Sequence, residues 1–512
     1  MTPDEFRKAG YRLVDQIADL FKCMPDGPVK PDETAAAVRR ALGADHGLPE
    51  SGASAGDVLS DAVELLFNHS LFNGHPRFFG YITSSPAPIG VLGDLLASAV
   101  NQNCGSWTLA PMATEIEAQT VRWIGEFIGF TGGSGGSAGP SRSNDCGGLL
   151  VSGGNMANFV CFLAARTARA GWEVRKEGLN RVSESRREGQ KIESGRLVVY
   201  GSAEMHTWIQ KAADLFGLGT DAIRWIPVDD QQRMKTAELR RQIERDRSSG
   251  DRPFLVVGTA GSVSTGAIDP LRDTSAICRE FGLWFHVDGA YGALAAGVPD
   301  APDDLRAIAE ADSVAVDPHK WLYAPLEAGC ALVRRPTDLR NAFSYHPPYY
   351  QFKEEMLNFV DYGLQNSRGF RALKVWLALR HVGRRGYTES IAEDMRLARK
   401  LCDLLAARDD FEVLTQFLSI TTFRYVPPEL RVSAGEPAVE QRLNRLNQDL
   451  LARIEKSGEA FFSNAVIGGK FALRACIVNF HTSDEDIEAV PAIVQRLGRE
   501  VFASSSRGSD PT

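Results

Sequence analysis

At 512 residues, 44% hydrophobic and 24% charged, the chain has the composition of an ordinary globular protein and the length for two or three domains around a substantial core. A net charge of −8 gives no support for a nucleic-acid surface, and no apolar run approaches a membrane span. The eight cysteines are scattered, without a CxxC or a zinc-like spacing, and the first residues lack an apolar leader core, so the expectation is a cytoplasmic chain with reduced thiols, no metal site and a small-molecule role.

Residues 4–24 carry a helical stripe of Phe6, Tyr11, Leu13, Val14, Ile17, Ala18 and Phe21, apolar enough to need a partner surface. A second helical stretch, Ala55 to Phe72, follows a Gly/Pro-containing link. Aromatic and turn residues mix between Gly74 and Pro86, where the pair Phe78-Phe79 reads first as core packing. Trp107 precedes a helix containing Glu115 and Glu117 and suits either a pocket or a dimer core.

The Gly/Ser-rich residues 131–147 lack the lysine and spacing of a phosphate-binding P-loop and read as a flexible link. The better anion site follows: strand Leu149-Leu150-Val151, turn Ser152-Gly153-Gly154, then a helix opened by Asn155 and running to about Ala170. Free N–H groups and the positive end of a helix dipole meet there, so Gly154 and Asn155 are candidates for holding a phosphate. A plain strand-to-helix turn has the same signature.

A charged stretch, 171–196, leads to a strand at 196–200 and then to His206 before another helix. Phe254 to Gly266 is a strand and turn, Asp269-Pro270 starts a helix, and Gly282 ends it. The strand Leu283 to Val287 ends in Asp288 and the small residues Gly289-Ala290. The strand Val314 to Val316 ends in Asp317-Pro318, beyond which Lys320 emerges beside His319. This alternation over 148–333 predicts a mostly parallel sheet with helices on both faces, whose strand ends are where ligands bind.

A strand-end lysine is more often a plain loop residue, and a strand-end aspartate a helix cap or turn. The sharper reading is a desolvated amine that condenses with an aldehyde cofactor, and a carboxylate that pairs with the cofactor's ring nitrogen. Past the lysine, Phe343 to Phe352 is a Pro- and Tyr-rich loop suited to a lid. Strands are expected at 411–414, 420–425 and 471–479, a capping box at Ser483 to Asp486, and a disordered tail at 504–512.

The strings His286-Val287-Asp288-Gly289-Ala290-Tyr291 and Asp317-Pro318-His319-Lys320-Trp321 resemble the group II pyridoxal-phosphate decarboxylases, the family of aromatic-L-amino-acid decarboxylase, over about residues 5–500. The resemblance implies an α/β chain of PLP-dependent transferase fold type I, aspartate aminotransferase-like. Its segments would be an N-terminal helical dimerisation segment (1–85), a large cofactor domain (86–380) and a small C-terminal α+β domain (381–503). It implies pyridoxal 5′-phosphate as cofactor, a homodimer with active sites at the subunit interface, and no nucleic acid or membrane partner.

Residue by residue, the resemblance makes Lys320 the cofactor's amine, Asp288 the ring-nitrogen partner and His206 the ring-stacking residue. It adds Ala290, Asp317 and His319 to Gly154 and Asn155 as cofactor-binding. It makes Tyr349, with Tyr350 as alternative, the proton donor to substrate Cα, and Tyr81, Thr83, Trp107 and Ser367 the substrate pocket. Val263 departs from the pattern, standing where a hydroxyl residue is usual, with Ser262 or Ser264 as candidate substitutes. Gly105 and Asn73 replace bulkier residues, which predicts a wider pocket. The activity implied is decarboxylation of an aromatic amino acid. The rivals are an acidic-amino-acid decarboxylase, with Arg77 and Arg368 as candidate counter-charges, an aldehyde synthase, and a transaminase that would use Arg474.

Overall fold

Seven apolar segments of four to eight residues, each stopped by glycine, proline or a polar turn, form one sheet in a computed structural model that describes residues 1–132, 147–179, 195–346 and 356–507. In chain order they are β1 (Gly147–Val151), β2 (Leu197–Ser202), β3 (Ile223–Ile226), β4 (Arg252–Thr259), β5 (Trp284–Asp288), β6 (Ser313–Val316) and β7 (Gly329–Val333). The spatial order is β1-β7-β6-β5-β4-β2-β3. The run from β6 to β3 is parallel throughout, while β7 is antiparallel to both β1 and β6. Helices connect the parallel strands, as sheets buried on both faces require. This is the fold type I arrangement expected.

Helix Gly154–Arg169 shows why the sheet is covered. Residues 157–165 are all buried, so the helix presents apolar surface all round. Phe162 meets Trp208 and Phe254 edge-to-face, with ring centroids 6.4 and 5.6 Å apart. Each such side chain contributes roughly 1.5–3 kcal/mol by burial.

The chain divides into two compact units, residues 86–393 around this sheet and a second made of 1–85 with 394–512. In the second unit Phe78–Phe79 is a short strand, parallel to Phe461–Ile467 and stacked on it through Phe78 and Phe461 at 5.4 Å. The N-terminal segment thus contributes a strand as well as helices. The sheet continues antiparallel through Lys470–Cys476, Ile420–Tyr425 and Phe411–Phe417. The expected helix Ala55 to Phe72 ends at Asn68. The final helix, Asp484–Arg507, starts on the Ser483/Asp486 capping box and carries residues 504–507 that had been assigned to a disordered tail.

Candidate active site

Three strand ends and one helix start meet at the C-terminal edge of the large sheet. Asp288 closes β5, with β4 Thr259 on one side and β6 Ala315 on the other. Asp317 follows β6, and its N–H reaches the Ala290 carbonyl at 3.2 Å, which joins the two loops. The glycine turn sits directly on them. A side chain at Gly154 would meet Asp317 Oδ2 at 2.7 Å and the Ala290 methyl at 2.9 Å, and one at Gly153, where φ is +101°, would meet His319 at 3.2 Å. Glycine is required there because the backbone itself lines the floor.

Lys320 stands over this floor. Its Nζ is 3.0 Å from Asp317 Oδ2, with the lysine side chain 16% and the carboxylate 3% exposed. Asp317 Oδ1 is buried and meets no hydrogen-bond partner among the described residues. His319 Nδ1 lies 2.7 Å from the Ala328 carbonyl and 3.2 Å from the Ala328 N–H, and burial lowers its pKa from the usual value. Asp288 is buried, its Oδ1 accepting from the Ala290 N–H at 3.3 Å and its Oδ2 from the Trp208 indole at 2.7 Å. His206 is exposed and stands two residues before helix Trp208–Leu215, and its Nδ1 accepts the main-chain N–H of Trp208 at 3.2 Å. That leaves its proton on Nε2 in the neutral form. Burial lowers its pKa, Asp288 raises it and Lys320 lowers it again.

Gly154, Ala290, Asp288, Asp317, His319, Lys320 and His206 are therefore one constellation, with Asn155 exposed beside Gly154 at the start of a helix that no side chain caps. Trp107 and Ser367 lie on two loops laced together. Trp107 N–H donates to Asn358 Oδ1 at 3.1 Å, and Cys104 N–H to the Arg368 carbonyl at 2.8 Å. A side chain at Gly105 would meet the Asn366 carbonyl at 2.4 Å. The glycine thus admits a close backbone approach, and the space left by its missing side chain is filled by that loop rather than widening a pocket. Tyr81 and Thr83 belong to the second unit, where the Tyr81 carbonyl accepts from Arg474 at 3.0 Å. Tyr349 and Tyr350 lie outside the described residues. So do residues 133–146 of the Gly/Ser stretch and residues 508–512.

Two candidates change character. Arg368, 2% exposed, is paired with Glu117, 1% exposed, and also donates to the carbonyls of Cys104 and Leu150. It is a strut holding the loop to β1. Ser262, a candidate substitute for the hydroxyl missing at Val263, shares its Oγ with Thr265 at 2.9 Å inside its own turn. Nothing local in His206-Thr207-Trp208 announces the Trp208 indole's partner Asp288, eighty residues on.

An amine at a strand end, a buried carboxylate and an uncapped helix start, separated only by glycine and alanine, suit one ligand chemistry. It is flat, with an aldehyde, a ring nitrogen and a phosphate at its rim. The glycine floor is the test of fit, because any Cβ at Gly154 would occupy the space between helix start and Asp317. The site is that of a pyridoxal-phosphate enzyme.

Comparison with known proteins agrees. The family described as "Pyridoxal-dependent decarboxylase conserved domain" matches residues 39–426. An aromatic-L-amino-acid decarboxylase of Bacillus atrophaeus is 31% identical over 509 residues, 98% of each chain. A phenylacetaldehyde synthase of a Rosa hybrid cultivar is 28% identical, covering 98% of this chain and 96% of its own. The crystal structure of Oryza sativa TDC with PLP and tryptamine superposes with a TM-score of 0.85 at 26% identity, covering 98% of this chain and 99% of that one. The chain belongs to the pyridoxal-dependent decarboxylase family and is a PLP-dependent carboxy-lyase. No helix among the described residues is long and apolar enough to cross a membrane.

Proposed function

We propose that the enzyme converts an aromatic L-amino acid to its amine and carbon dioxide. The observation that carries the substrate class is the buried Arg368–Glu117 pair, which commits one of the two candidate counter-charges for an acidic side chain to structure, while the other, Arg77, faces Asp486 at 3.9 Å. The names of the Bacillus relative and of the rice structure with tryptamine support the same reading.

When bound, pyridoxal phosphate supplies an electron sink for the pair left on Cα as the carboxylate departs. Gly154 and Asn155 would offer main-chain N–H groups to the phosphate at the helix start, while Ala290, Asp317 and His319 would line the rest of the cofactor site. Asp288 would hold a proton on the ring nitrogen, and His206 would stack on the ring. Lys320 Nζ would hold the cofactor by its aldehyde carbon and would be the amine that substrate and product exchange with. Tyr349, or Tyr350 beside it, delivers a proton to Cα, a role supported by the sequence resemblance. Trp107 and Ser367 border the substrate ring.

The amphipathic helices Pro3–Cys23 and Ala55–Asn68 bury no residue and expose Phe6, Tyr11, Val58 and Leu66. That favours a homodimer, which light scattering would read as twice the 55.9 kDa chain mass. A cytoplasmic setting fits cysteines that form no disulfide among the described residues.

The test is to mix the purified holoenzyme with tyrosine, tryptophan, phenylalanine, dihydroxyphenylalanine, glutamate and aspartate while recording carbon dioxide and amine. Turnover of an aromatic substrate is expected. Carbon dioxide from glutamate or aspartate alone overturns the substrate class and leaves the cofactor assignment standing.

A further inference from the structure

The side chain of Trp208 has no part in the scheme above, yet it touches its central carboxylate. Trp208 is fully buried, and its indole N–H reaches Asp288 Oδ2 at 2.7 Å. Its ring stands edge-on to His286 at 5.8 Å and to Phe162 at 6.4 Å, so it cannot turn away without emptying the core beneath β5. His286 is itself fixed, Nε2 to Asn158 Oδ1 at 2.7 Å and Nδ1 to Ser313 Oγ at 2.8 Å. The indole is therefore held on its far side by a second layer of hydrogen bonds.

An indole N–H can only donate, and a buried one must find an acceptor. This one takes a carboxylate, the strongest acceptor available. The other oxygen of Asp288 accepts from Ala290 N–H at 3.3 Å, in the loop after its own strand. The carboxylate is thus clamped by donors from two different elements, which fixes its plane and leaves the remaining lone pairs toward the cofactor floor.

We propose that Trp208 is a positioning residue that aims the Asp288 carboxylate at the ring nitrogen of pyridoxal phosphate, so that the enzyme's preference for a cofactor bearing that nitrogen depends on the indole N–H. The inference rests on Asp288 facing the nitrogen. A donor to a charged acceptor is worth roughly one to two powers of ten in an equilibrium constant. Loss of the N–H at constant volume should therefore appear as weaker cofactor binding without loss of fold.

The experiment titrates full-length apoenzyme with pyridoxal phosphate and with its carbocyclic analogue, in which CH replaces the ring nitrogen, and reads dissociation constants from absorbance. Wild type is expected to prefer the natural cofactor. Trp208→Phe is expected to lose about tenfold or more in affinity for pyridoxal phosphate and to keep its affinity for the analogue. Should Trp208→Phe fold poorly, 3-benzothienylalanine at this position, with sulfur in place of the N–H, gives the same comparison at nearly constant shape. Equal loss for both ligands overturns the inference and reduces Trp208 to packing. A wild type that binds both equally overturns the Asp288 assignment as well, which separates the two failures.

Discussion

Lys320 Nζ and Asp317 Oδ2 are 3.0 Å apart, and the carboxylate is 3% exposed with its second oxygen meeting no partner among the described residues. The lysine thus neutralises a buried charge as well as presenting an amine. Breaking a buried pair from one side strands the other charge, at a cost of about 3–5 kcal/mol. Lys320→Ala should abolish carbon dioxide release and also destabilise the apoenzyme by that order. Adding Asp317→Asn should restore most of the stability and none of the activity. Urea unfolding of the four apoenzymes checks this, and strictly additive effects would refute the pairing.

Arg368 makes an analogous prediction with the opposite functional sign. With the pair 2% and 1% exposed, Arg368→Gln should lower stability by about 3–5 kcal/mol, because Glu117 is left buried and the loop loses its anchors on Leu150 and Cys104. No glutamate-specific effect is expected. Kinetics at a temperature where the variant stays folded provide the check. A rise in KM confined to acidic substrates would return Arg368 to the role of counter-charge.

The site was legible in the sequence where function is local. Gly153-Gly154 between a strand and a helix, Asp288 at one strand end and Lys320 beyond another each announce themselves within a few residues, and the strand-helix alternation places their ends on one edge. What stayed hidden depends on partners far along the chain. Phe78-Phe79 looked too mixed for a strand because its pairing surface is Phe461-Phe462. Arg368 looked like a ligand because Glu117 lies 251 positions away. Gly105 looked like a widened pocket because the Asn366 carbonyl that fills the space comes from another loop.

Tyr349 decides between products if it delivers the proton to Cα. Without a donor there, dioxygen can take the electrons instead, and the carbon ends as aldehyde with ammonia and hydrogen peroxide released. Tyr349→Phe should therefore move the product from amine toward aldehyde, with peroxide and oxygen consumption rising in step. Chromatography beside an oxygen electrode reads both. Unchanged amine yield would pass the role to Tyr350 or another donor.

Asp288 carries the cofactor assignment. Asp288→Ala should leave a buried pyridinium without its partner, costing roughly 3–5 kcal/mol. At about 1.4 kcal/mol per tenfold, a comparable loss in the transition state slows turnover by roughly 10² to 10⁴. Saturating pyridoxal phosphate should not rescue the rate. Near-normal turnover in this variant would sink the assignment of Asp288.

The buried histidines set the direction of the pH response. His75, His286 and His319 all have pKa values lowered from 6.5, in each case first by burial, so the folded protein keeps them neutral. Once unfolded they regain the ordinary value and bind protons below about pH 6.5. More protons on the unfolded state means that stability rises with pH, so it is fully present above 6.5 and is lost as pH falls below it. Each histidine contributes at most about 1.4 kcal/mol per pH unit in that window. Asp269 works the other way. Burial raises its pKa from 3.8 to about 6, so the fold holds a proton that the unfolded chain releases, and its contribution fades as pH rises through 6. With His206 and His481 also lowered by burial, the histidines outnumber Asp269 and Asp312, the carboxyls that burial raises, and should bring the urea midpoint down between pH 7.5 and 5.5. A midpoint that rises on acidification would show that these imidazoles are protonated in the folded state.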